Sequence, residues 1–470
     1  MEQYFIGVDV GTGSARAGVF DASGACLGVG KKDIALFQDS GHVVEQSSTD
    51  IWASVCGAIQ VALAASKCRA TQITGIGFDA TCSLVVVRED GTALPVGDSG
   101  DPERNIIVWM DHRATAQADR INATEHDVLR YVGGQISPEM ETPKLLWLKE
   151  NKPETYDAAD HFFDLTDYLT WRATGSAARS VCTVTCKWTY LAHDRKWDRS
   201  YFQDIGLQDL AADNFKRIGQ TIVDPGSSLG AGLTEQAAHD FGLPAGISVA
   251  AGLIDAHAGG IGTIGAQGPD GAKGGAETRM GYVFGTSACT MSSTQKPAFV
   301  PGVWGPYYSA MVPGLWLNEG GQSAAGAAIA HLLDTHPASI EATKQAAAAG
   351  LSLPDWLAEQ AIYKSVSVSQ AIELAGSVIV VPEFLGNRSP HADPTSKAII
   401  AGLGFERDVD SLIALYIAGL SGLGYGLRQI IETQRAQAVQ TDMIVISGGA
   451  GQHPLVRQLL ADATGIAVAK

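Results

Sequence analysis

Apolar and polar residues alternate along the first part of the chain in patterns typical of strands and helices. The short apolar runs that predict strands cover residues 4–10, 15–21, 25–34, 73–78 and 84–88. Residues 49–67 instead carry apolar side chains at helical spacing, so a helix is expected between the third and fourth strands. A three-stranded meander followed by a crossover helix indicates an α/β architecture with an antiparallel start.

The turn between the first two predicted strands lacks bulky side chains. Asp9 ends the first strand, and Gly11-Thr12-Gly13-Ser14 follows before the second strand begins. The two glycines permit positive φ and let backbone N–H groups approach an anion closely, while the two hydroxyls add donors. The Asp9 carboxylate could hold Mg²⁺ directly or through water. Taken alone, this stretch fits both a phosphate-binding turn and an ordinary hairpin.

Helical spacing dominates the middle of the chain. A buried strand is predicted at 106–110 with a helix from residue 111 onward, and residues 144–215 are predicted to be mostly helical. An apolar strand at 247–253 then runs into Ile254-Asp255-Ala256-His257.

The second half opens with a passage that repeats the pattern of the amino terminus. Residues 280–291 contain an apolar strand, the turn Gly285-Thr286-Ser287 and a second strand. Two such turns, one near the start of each half, are expected of a duplicated fold with a cleft between its halves. The later elements are predicted as a helix at 322–333, a strand at 377–381, a helix at 408–434, a strand at 443–447 and a helix at 453–463.

Composition indicates a globular protein with more than one core. A chain of 470 residues is too long for one core, so two domains are expected, at 1–262 and 263–470. The net charge of −17 and the lack of a Lys/Arg run disfavour nucleic acid and anionic membranes as partners.

Cysteine usage and the amino terminus indicate the compartment. Seven scattered Cys without zinc-type spacing favour reduced thiols in a cytoplasmic protein, and Cys182 and Cys186 are expected to serve packing. The first residues show no secretory signal pattern, which agrees with a cytoplasmic location.

Two further stretches carry candidate chemistry. The strand ending at Ser447 enters Gly448-Gly449-Ala450, whose flat backbone surface could face a purine or ribose, although such turns are common in α/β proteins. Asp255 follows an apolar strand beside small residues, so its carboxylate could act as a general base toward a sugar hydroxyl. For an Asp considered alone, helix capping is the more common role.

The three glycine-containing turns occur in the order of the phosphate 1, phosphate 2 and adenosine elements of the actin/hexokinase/Hsp70 superfamily. Among its members the chain resembles the FGGY carbohydrate kinases, and the matching segments extend over almost its whole length. The segments that carry the resemblance are Trp109-Met110-Asp111-His112-Arg113, Lys144-Leu145-Leu146-Trp147-Leu148-Lys149-Glu150-Asn151 and Gly252-Leu253-Ile254-Asp255-Ala256-His257. The second family signature, around 398–423, is degenerate in this chain.

The resemblance implies two duplicated ribonuclease H-like α/β domains of the actin/hexokinase/Hsp70 type, with ATP, Mg²⁺ and a sugar in the cleft between them. It implies Asp255 as the catalytic base and Asp9 as the residue that positions Mg²⁺. The implied nucleotide-binding residues are Gly11, Thr12, Gly13, Ser14, Arg16, Gly285, Thr286, Ser287, Gly326, Gly449 and Ala450. The implied sugar-binding residues are Asp79, Thr81, Cys82, Trp109, Lys187, Asp255 and Glu319, with a solvated surface lysine as the alternative for Lys187.

Within the family the chain looks most similar to ribulokinases. Asn318-Glu319-Gly320-Gly321-Gln322-Ser323 is similar to their segment whose Glu contacts the ketose, and Gly386-Asn387-Arg388-Ser389-Pro390 also resembles that group. Thr81-Cys82-Ser83-Leu84-Val85 matches the pattern of the D-ribulokinase subgroup. The resemblance therefore implies phosphorylation of a ketopentose at its C5 hydroxyl, with D-ribulose preferred over L-ribulose, D-xylulose and ribitol.

Two other classes of function compete with this interpretation. An actin- or Hsp70-like ATPase switch would share the phosphate turns but leaves the sugar motifs without a role. A sugar-binding regulator without catalysis is disfavoured by the two candidate carboxylates, Asp9 and Asp255. The resemblance also allows a homodimer and implies a final helix beyond 466–469, whereas this chain stops at Lys470.

Overall fold

A computed structural model describes residues 3–39, 42–265 and 275–469 of the chain. The chain forms two compact units. The first comprises Met1–Ala258 together with Tyr307–Gly314, and the second comprises Gly259–Pro306 together with Leu315–Lys470.

The first unit contains short strands and helices in alternation. Its strands are β1 (Tyr4–Val10), β2 (Ser14–Asp21), β3 (Cys26–Asp33), β4 (Phe37–Gln38), β5 (Val44–Gln46), β6 (Ile73–Ala80), β7 (Leu84–Val87), β8 (Ile106–Ile107), β9 (His161–Asp164), β10 (Arg179–Ser180), β11 (Ile222–Val223), β12 (Ser248–Val249) and β13 (Leu253–Ile254). Its helices are α1 (Ser48–Ser66), α2 (Thr115–Asn122), α3 (Glu141–Asn151), α4 (Pro153–Ala158), α5 (Leu165–Thr174), α6 (Val181–Lys187), α7 (Arg199–Asp204), α8 (Gln208–Ala212) and α9 (Glu235–Phe241). Helix α10 (Asp255–Ile264) begins in this unit and ends in the second.

The main sheet of the first unit has the strand order β12-β6-β1-β2-β3, and β13 also pairs with β6. Strands β1, β2 and β3 are antiparallel neighbours, whereas β6, β12 and β13 add in parallel. Helix α1 lies against β3, where a Cβ on Gly28 or Gly30 would come within 2.6 Å of the carbonyl oxygens of Ala62 and Ala58. Small residues on both elements therefore allow the crossover helix to cover the meander closely.

The second unit repeats this arrangement. Its strands are β14 (Arg279–Phe284), β15 (Ala288–Thr294), β17 (Trp316–Gln322), β18 (Ile379–Val381), β19 (Ile399–Ala401), β20 (Met443–Ser447) and β21 (Ala467–Ala469), and β16 (Trp304–Tyr308) spans the point where the chain passes to Tyr307–Gly314. Its further helices are α11 (Gly326–Thr335), α12 (Ser339–Ala348), α13 (Leu353–Lys364), α14 (Val409–Ala436) and α15 (Pro454–Thr464).

Pairing in the two sheets follows one scheme. Strands β17, β15 and β14 are antiparallel neighbours, and β20 then adds in parallel to β14, as β6 adds to β1. This shared order confirms the prediction of a duplicated α/β fold.

Several predicted elements have other limits in the structure. The strand predicted at 106–110 is only Ile106–Ile107, and the helix expected from residue 111 begins at Thr115. The reason is that Asp111 is buried and accepts the Val44 N–H at 2.6 Å, so it fixes a loop instead of starting a helix. The helix predicted at 322–333 begins at Gly326, because β17 continues to Gln322.

Two helices among the described residues, α1 and α14, are long and apolar enough to cross a membrane. Core helices pass the same test, and here both helices contribute apolar side chains to the hydrophobic core of their own unit.

Candidate functional site

Three carboxylates lie at the ends of neighbouring parallel strands in the first unit. Asp9 of β1 is the direct ladder partner of Asp79 of β6, and Leu253 of β13 pairs with the same residue from the other side. Asp255 follows β13 directly. Because the carboxyl ends of parallel strands meet at one edge of a sheet, these three side chains are brought together from distant parts of the chain.

Their shared environment changes their acid–base behaviour. Burial, reinforced by the nearby Asp9 and Asp255 carboxylates, raises the pKa of Asp79 to about 8. Asp79 therefore holds a proton near neutral pH, and its carboxyl group is hydrogen-bonded to Asp9. On its other side, Asp9 accepts a hydrogen bond from the Arg16 guanidinium at 3.0 Å.

Asp255 is the carboxylate with the properties of a general base. Burial raises the pKa of Asp255 to about 6; the Ala256 N–H, His257 and Lys187 act in the opposite direction. Asp255 is also the first residue of α10, and its Oδ1 accepts the Ala256 N–H at 2.7 Å. Asp255 therefore does begin a helix, as the capping alternative expects. Its side chain is nevertheless ionised near neutral pH and can act as a base.

The first glycine turn is closed by its own backbone and by two neighbouring side chains. The Gly11 N–H donates to the Ser14 carbonyl at 3.1 Å, and Gln46 donates to the Thr12 carbonyl at 2.7 Å. The Trp109 indole N–H donates to the Thr12 hydroxyl at 3.0 Å. Neither Gly11 nor Gly13 has a positive φ, so the turn does not use the left-handed backbone conformation that these glycines would permit. A Cβ on Gly13 would meet nothing within 4 Å, which leaves open space beside the backbone.

The residues on either side of Cys82 bond to β1 and to Trp109. The Thr81 N–H donates to the Val10 carbonyl at 3.0 Å, and the Trp109 N–H donates to the Ser83 hydroxyl at 3.1 Å. Lys187, the last residue of α6, is 5% exposed, so the surface alternative is wrong. Its charge acts on the pKa of both Cys82 and Asp255, which places the three side chains in one environment.

Within the Trp109-Met110-Asp111-His112-Arg113 motif, the two charged residues have a structural role. Arg113 donates to Asp111 at 2.7 Å and to Glu45 at 2.8 Å, and all three side chains are buried. This ion-pair network fixes the loop from which Trp109 reaches the first turn.

Sequence reasoning missed a buried charged pair on α3. Lys144 Nζ lies 3.6 Å from Glu141 Oε1, and both side chains are 0% exposed. Burial raises the pKa of Glu141 to about 7, opposed by Lys144 and Lys187. Lys144 lies in a segment that carries the family resemblance, but no signal in one sequence singles out Glu141.

In the second unit, the three glycine elements meet. The Gly326 N–H donates to the Gly285 carbonyl at 3.0 Å, and a Cβ on Gly326 would lie 2.7 Å from that oxygen. Gly448 has a φ of +98°, and a Cβ there would lie 2.1 Å from the Phe284 carbonyl oxygen. The turn at 285–287, the start of α11 and the turn before Gly449 and Ala450 therefore pack without side chains between them.

Comparison with known proteins identifies the family. Residues 4–262 match the N-terminal domain, and residues 280–470 the C-terminal domain, of the FGGY family of carbohydrate kinases. The chain belongs to this family. It is therefore an ATP-dependent sugar kinase, and the ATPase-switch and non-catalytic alternatives are set aside.

Relatives of this FGGY kinase match over nearly its whole length. The FGGY carbohydrate kinase domain-containing protein of Homo sapiens is 47% identical, covering 99% of this chain and 85% of the relative. A D-ribulokinase of Saccharomyces cerevisiae is 38% identical, covering 99% of this chain and 69% of the relative. The structure of a xylulose kinase from Rhodospirillum rubrum aligns with a TM-score of 0.77 at 18% identity, covering 99% of this chain and 86% of the other. This likeness shows the fold alone.

The acidic residues of this FGGY kinase fit a magnesium–nucleotide complex. Within the described ranges, no group of three or more His, Cys, Asp or Glu side chains is arranged to hold a metal by itself. Mg²⁺ on a nucleotide needs only one or two carboxylates, with water and phosphate oxygens completing the shell. Asp9, whose side chain is 38% exposed, supplies a hard oxygen donor of this kind.

Glu319, predicted to contact the sugar, lies in the second unit of this kinase. It is 6% exposed and pairs in register with Met291 across the β15–β17 ladder. The other predicted sugar residues all belong to the first unit.

Proposed function

We propose that this kinase phosphorylates D-ribulose at the C5 hydroxyl, giving D-ribulose 5-phosphate and ADP. The observation that carries the proposal is the environment of Asp255. Its carboxylate lies near Asp79 and the buried Lys187, and burial raises the pKa of Asp255 to about 6. A base of this strength is ionised at neutral pH and can still accept a proton from an alcohol as that alcohol attacks phosphorus.

In the proposed reaction, Asp255 accepts the proton of the C5 hydroxyl while the sugar oxygen forms a bond to the γ-phosphorus. The bond from that phosphorus to the β–γ bridging oxygen breaks, and ADP carries the electron pair away. Positioning and electrostatic stabilisation supply most of the acceleration in such transfers.

Backbone N–H groups would hold the phosphates. We assign those of 11–14 in the first unit and 285–287 in the second, because a Cβ on Gly11, Gly13 or Gly285 would meet no side-chain atom within 4 Å. Arg16 adds a cation beside Asp9. Asp9 would hold Mg²⁺, which neutralises phosphate charge when bound. Gly326, Gly449 and Ala450 would border the adenosine.

The proposed sugar identity has two supports. Thr81-Cys82-Ser83-Leu84-Val85 carries the D-ribulokinase pattern, and the yeast relative that this chain matches at 38% identity is named a D-ribulokinase. Lys187 and Glu319 are buried polar groups of the kind that recognise sugar hydroxyls, and we assign both to the ketose, together with Asp79, Thr81, Cys82 and Trp109.

A coupled assay for ADP release tests the proposal. D-Ribulose, L-ribulose, D-xylulose, ribitol, glycerol and gluconate are compared at equal concentration with the purified kinase. We expect kcat/KM to be highest for D-ribulose, with the product identified as the 5-phosphate by NMR. A higher kcat/KM for any other sugar would replace D-ribulose in the proposal.

A further inference from the structure

The segment that carries Asp255 is held by side chains from two helices of the first unit. The hydroxyl of Ser180, the N-cap of α6, donates to the Gly252 carbonyl at 2.7 Å, and Thr166 of α5 donates to the Leu253 carbonyl at 2.9 Å. Ile254 and His257, which follow, both contact one sulfur atom. Every backbone position from 252 to 254 is therefore fixed by a side chain before the chain reaches Asp255.

The sulfur atom is that of Cys182, and it contacts the segment on both sides of Asp255. It accepts the Ile254 N–H at 3.4 Å and lies 3.1 Å from Nδ1 of His257. Cys186 Sγ lies 4.0 Å from the same nitrogen. Cys182, Cys186 and His257 are all 0% exposed, so water does not compete for these contacts.

The groups around Cys182 lower the pKa of its thiol. Burial disfavours the Cys182 thiolate, but Cys186, His257 and the Ile254 N–H outweigh it and lower the pKa of Cys182 to about 5. The Cys182 sulfur in turn helps to raise the pKa of three carboxyls that face it, Asp79 of β6, Asp164 of β9 and Asp167 of α5. The groups that lower the pKa of Cys182 favour its thiolate form, which strengthens the sulfur as a hydrogen-bond acceptor for the Ile254 N–H.

We propose that Cys182 is a positioning residue for Asp255. By fixing the backbone before Asp255 and the imidazole ring after it, the sulfur keeps the carboxylate in the orientation that accepts the sugar proton. The inference rests on the proposed role of Asp255 as the base. Because Cys182 is assigned no contact with sugar or nucleotide, its loss lowers the rate of the chemical step and leaves binding unchanged.

The test compares Cys182→Ala with Cys186→Ala. Both residues lie on α6, are equally buried and lose the same atom. They differ in that Cys182 accepts the Ile254 N–H and lies 3.1 Å from His257 Nδ1, against 4.0 Å for Cys186. We expect kcat of C182A to fall by about tenfold or more, with the KM of sugar and of ATP within about twofold of the parent. The C186A variant should keep kcat within about twofold, after correction for the folded fraction measured by thermal unfolding.

Serine substitutions repeat the comparison if an alanine variant does not fold. The Cys182→Ser hydroxyl can still accept the Ile254 N–H and bond to His257, so its kcat should lie between those of the parent and C182A. The Cys186→Ser variant should match the parent. Equal losses at positions 182 and 186 would overturn the inference.

Measurements in the Asp255→Asn background test the role of Cys182 separately from the role of Asp255 as the base. If Cys182 acts through Asp255, adding C182A to D255N causes no further loss of the residual rate. A loss by the same factor as in the parent would show that Cys182 acts elsewhere and would overturn the inference. Retained activity of D255N alone is a different result, which would overturn the proposed base itself.

Discussion

Asp79 and Asp9 are direct partners across the β1–β6 ladder, and their carboxyl groups are joined by a hydrogen bond. Two ionised carboxylates so close would repel each other strongly. The raised pKa of Asp79, about 8, resolves this conflict because Asp79 keeps its proton at neutral pH. Asp9 also accepts a hydrogen bond from Arg16, beside the first glycine turn.

The first prediction concerns the protonated state of Asp79. Asn mimics the shape of a protonated carboxyl and can donate to Asp9, so Asp79→Asn should be at least as stable as the parent at pH 7. Asp79→Ala removes the donor and should lower the free energy of unfolding by about 1–3 kcal/mol. Thermal unfolding followed by circular dichroism makes the comparison, and equal destabilisation by both substitutions would argue against a protonated Asp79.

The pH dependence of stability follows from the same group. A carboxyl whose folded-state pKa is about 8, above its unfolded value of 3.8, binds its proton more tightly in the folded state. Its contribution to the free energy of unfolding is therefore complete below pH 4 and is lost as the pH rises toward 8. Asp79→Asn should weaken the decline in stability between pH 5 and pH 8, measured by urea unfolding.

The second prediction concerns the close approach of Gly326 to Gly285. Gly326→Ala would place a Cβ 2.7 Å from a backbone oxygen that cannot move without shifting the second glycine turn. We expect the KM for ATP to rise by about tenfold, with the sugar KM within about twofold. Gly262→Ala in α10 is the control, because a Cβ there meets nothing within 4 Å. Equal effects of the two substitutions on the ATP KM would contradict the assignment of Gly326.

The third prediction separates sugar from nucleotide recognition at Glu319. Glu319→Gln keeps the shape of this buried side chain and removes its charge. Loss of a charged hydrogen bond to the ketose should raise the sugar KM by roughly 10- to 100-fold, with little change for ATP. Glu341→Gln, on an exposed face of α12, serves as the control. If the ATP KM rises as much as the sugar KM, Glu319 is not a sugar-specific contact.

The fourth prediction is the acidic limb of the rate profile. Asp255 must be ionised to accept a proton, and its pKa is raised to about 6 by burial. Below that pH the carboxyl is protonated, so kcat/KM should fall about tenfold per pH unit. Initial rates in overlapping buffers from pH 5 to pH 8 measure the limb. A profile that stays flat down to pH 5 would exclude Asp255 as the base that limits the reaction.

Much of the fold could be predicted because it depends on local pattern. Alternation and helical spacing found β1, α1 and the long helix α14 within a few residues, and the predicted strand at 443–447 has the bounds Met443–Ser447. The predicted ends of elements were wrong where tertiary contacts determine where a strand or helix begins and stops. Asp111 is taken into a buried ion pair, and β17 continues to Gln322, in the segment where a helix was expected to begin.

The sequence could predict which residues belong to the candidate site. It could not predict how those residues pair, how deeply they are buried or how their charges interact. Glycine turns and strand-end carboxylates are visible in the sequence, but the partnership of Asp9 with Asp79 depends on register between strands about seventy positions apart. Burial of Lys187 and the contact of Cys182 with His257 arise from helix packing that no local pattern encodes.

The fifth prediction tests the central claim, that Asp255 is the proton acceptor. Asp255→Asn keeps the size of the side chain and cannot take a proton from the sugar. We expect sugar phosphorylation in single-turnover experiments to fall by at least about 10³-fold, with the dissociation constant of ADP within about twofold by calorimetry. Asp224→Asn, at an exposed position of the same unit, should match the parent. A phosphorylation rate of D255N within tenfold of the parent, with nucleotide binding intact, would contradict the account.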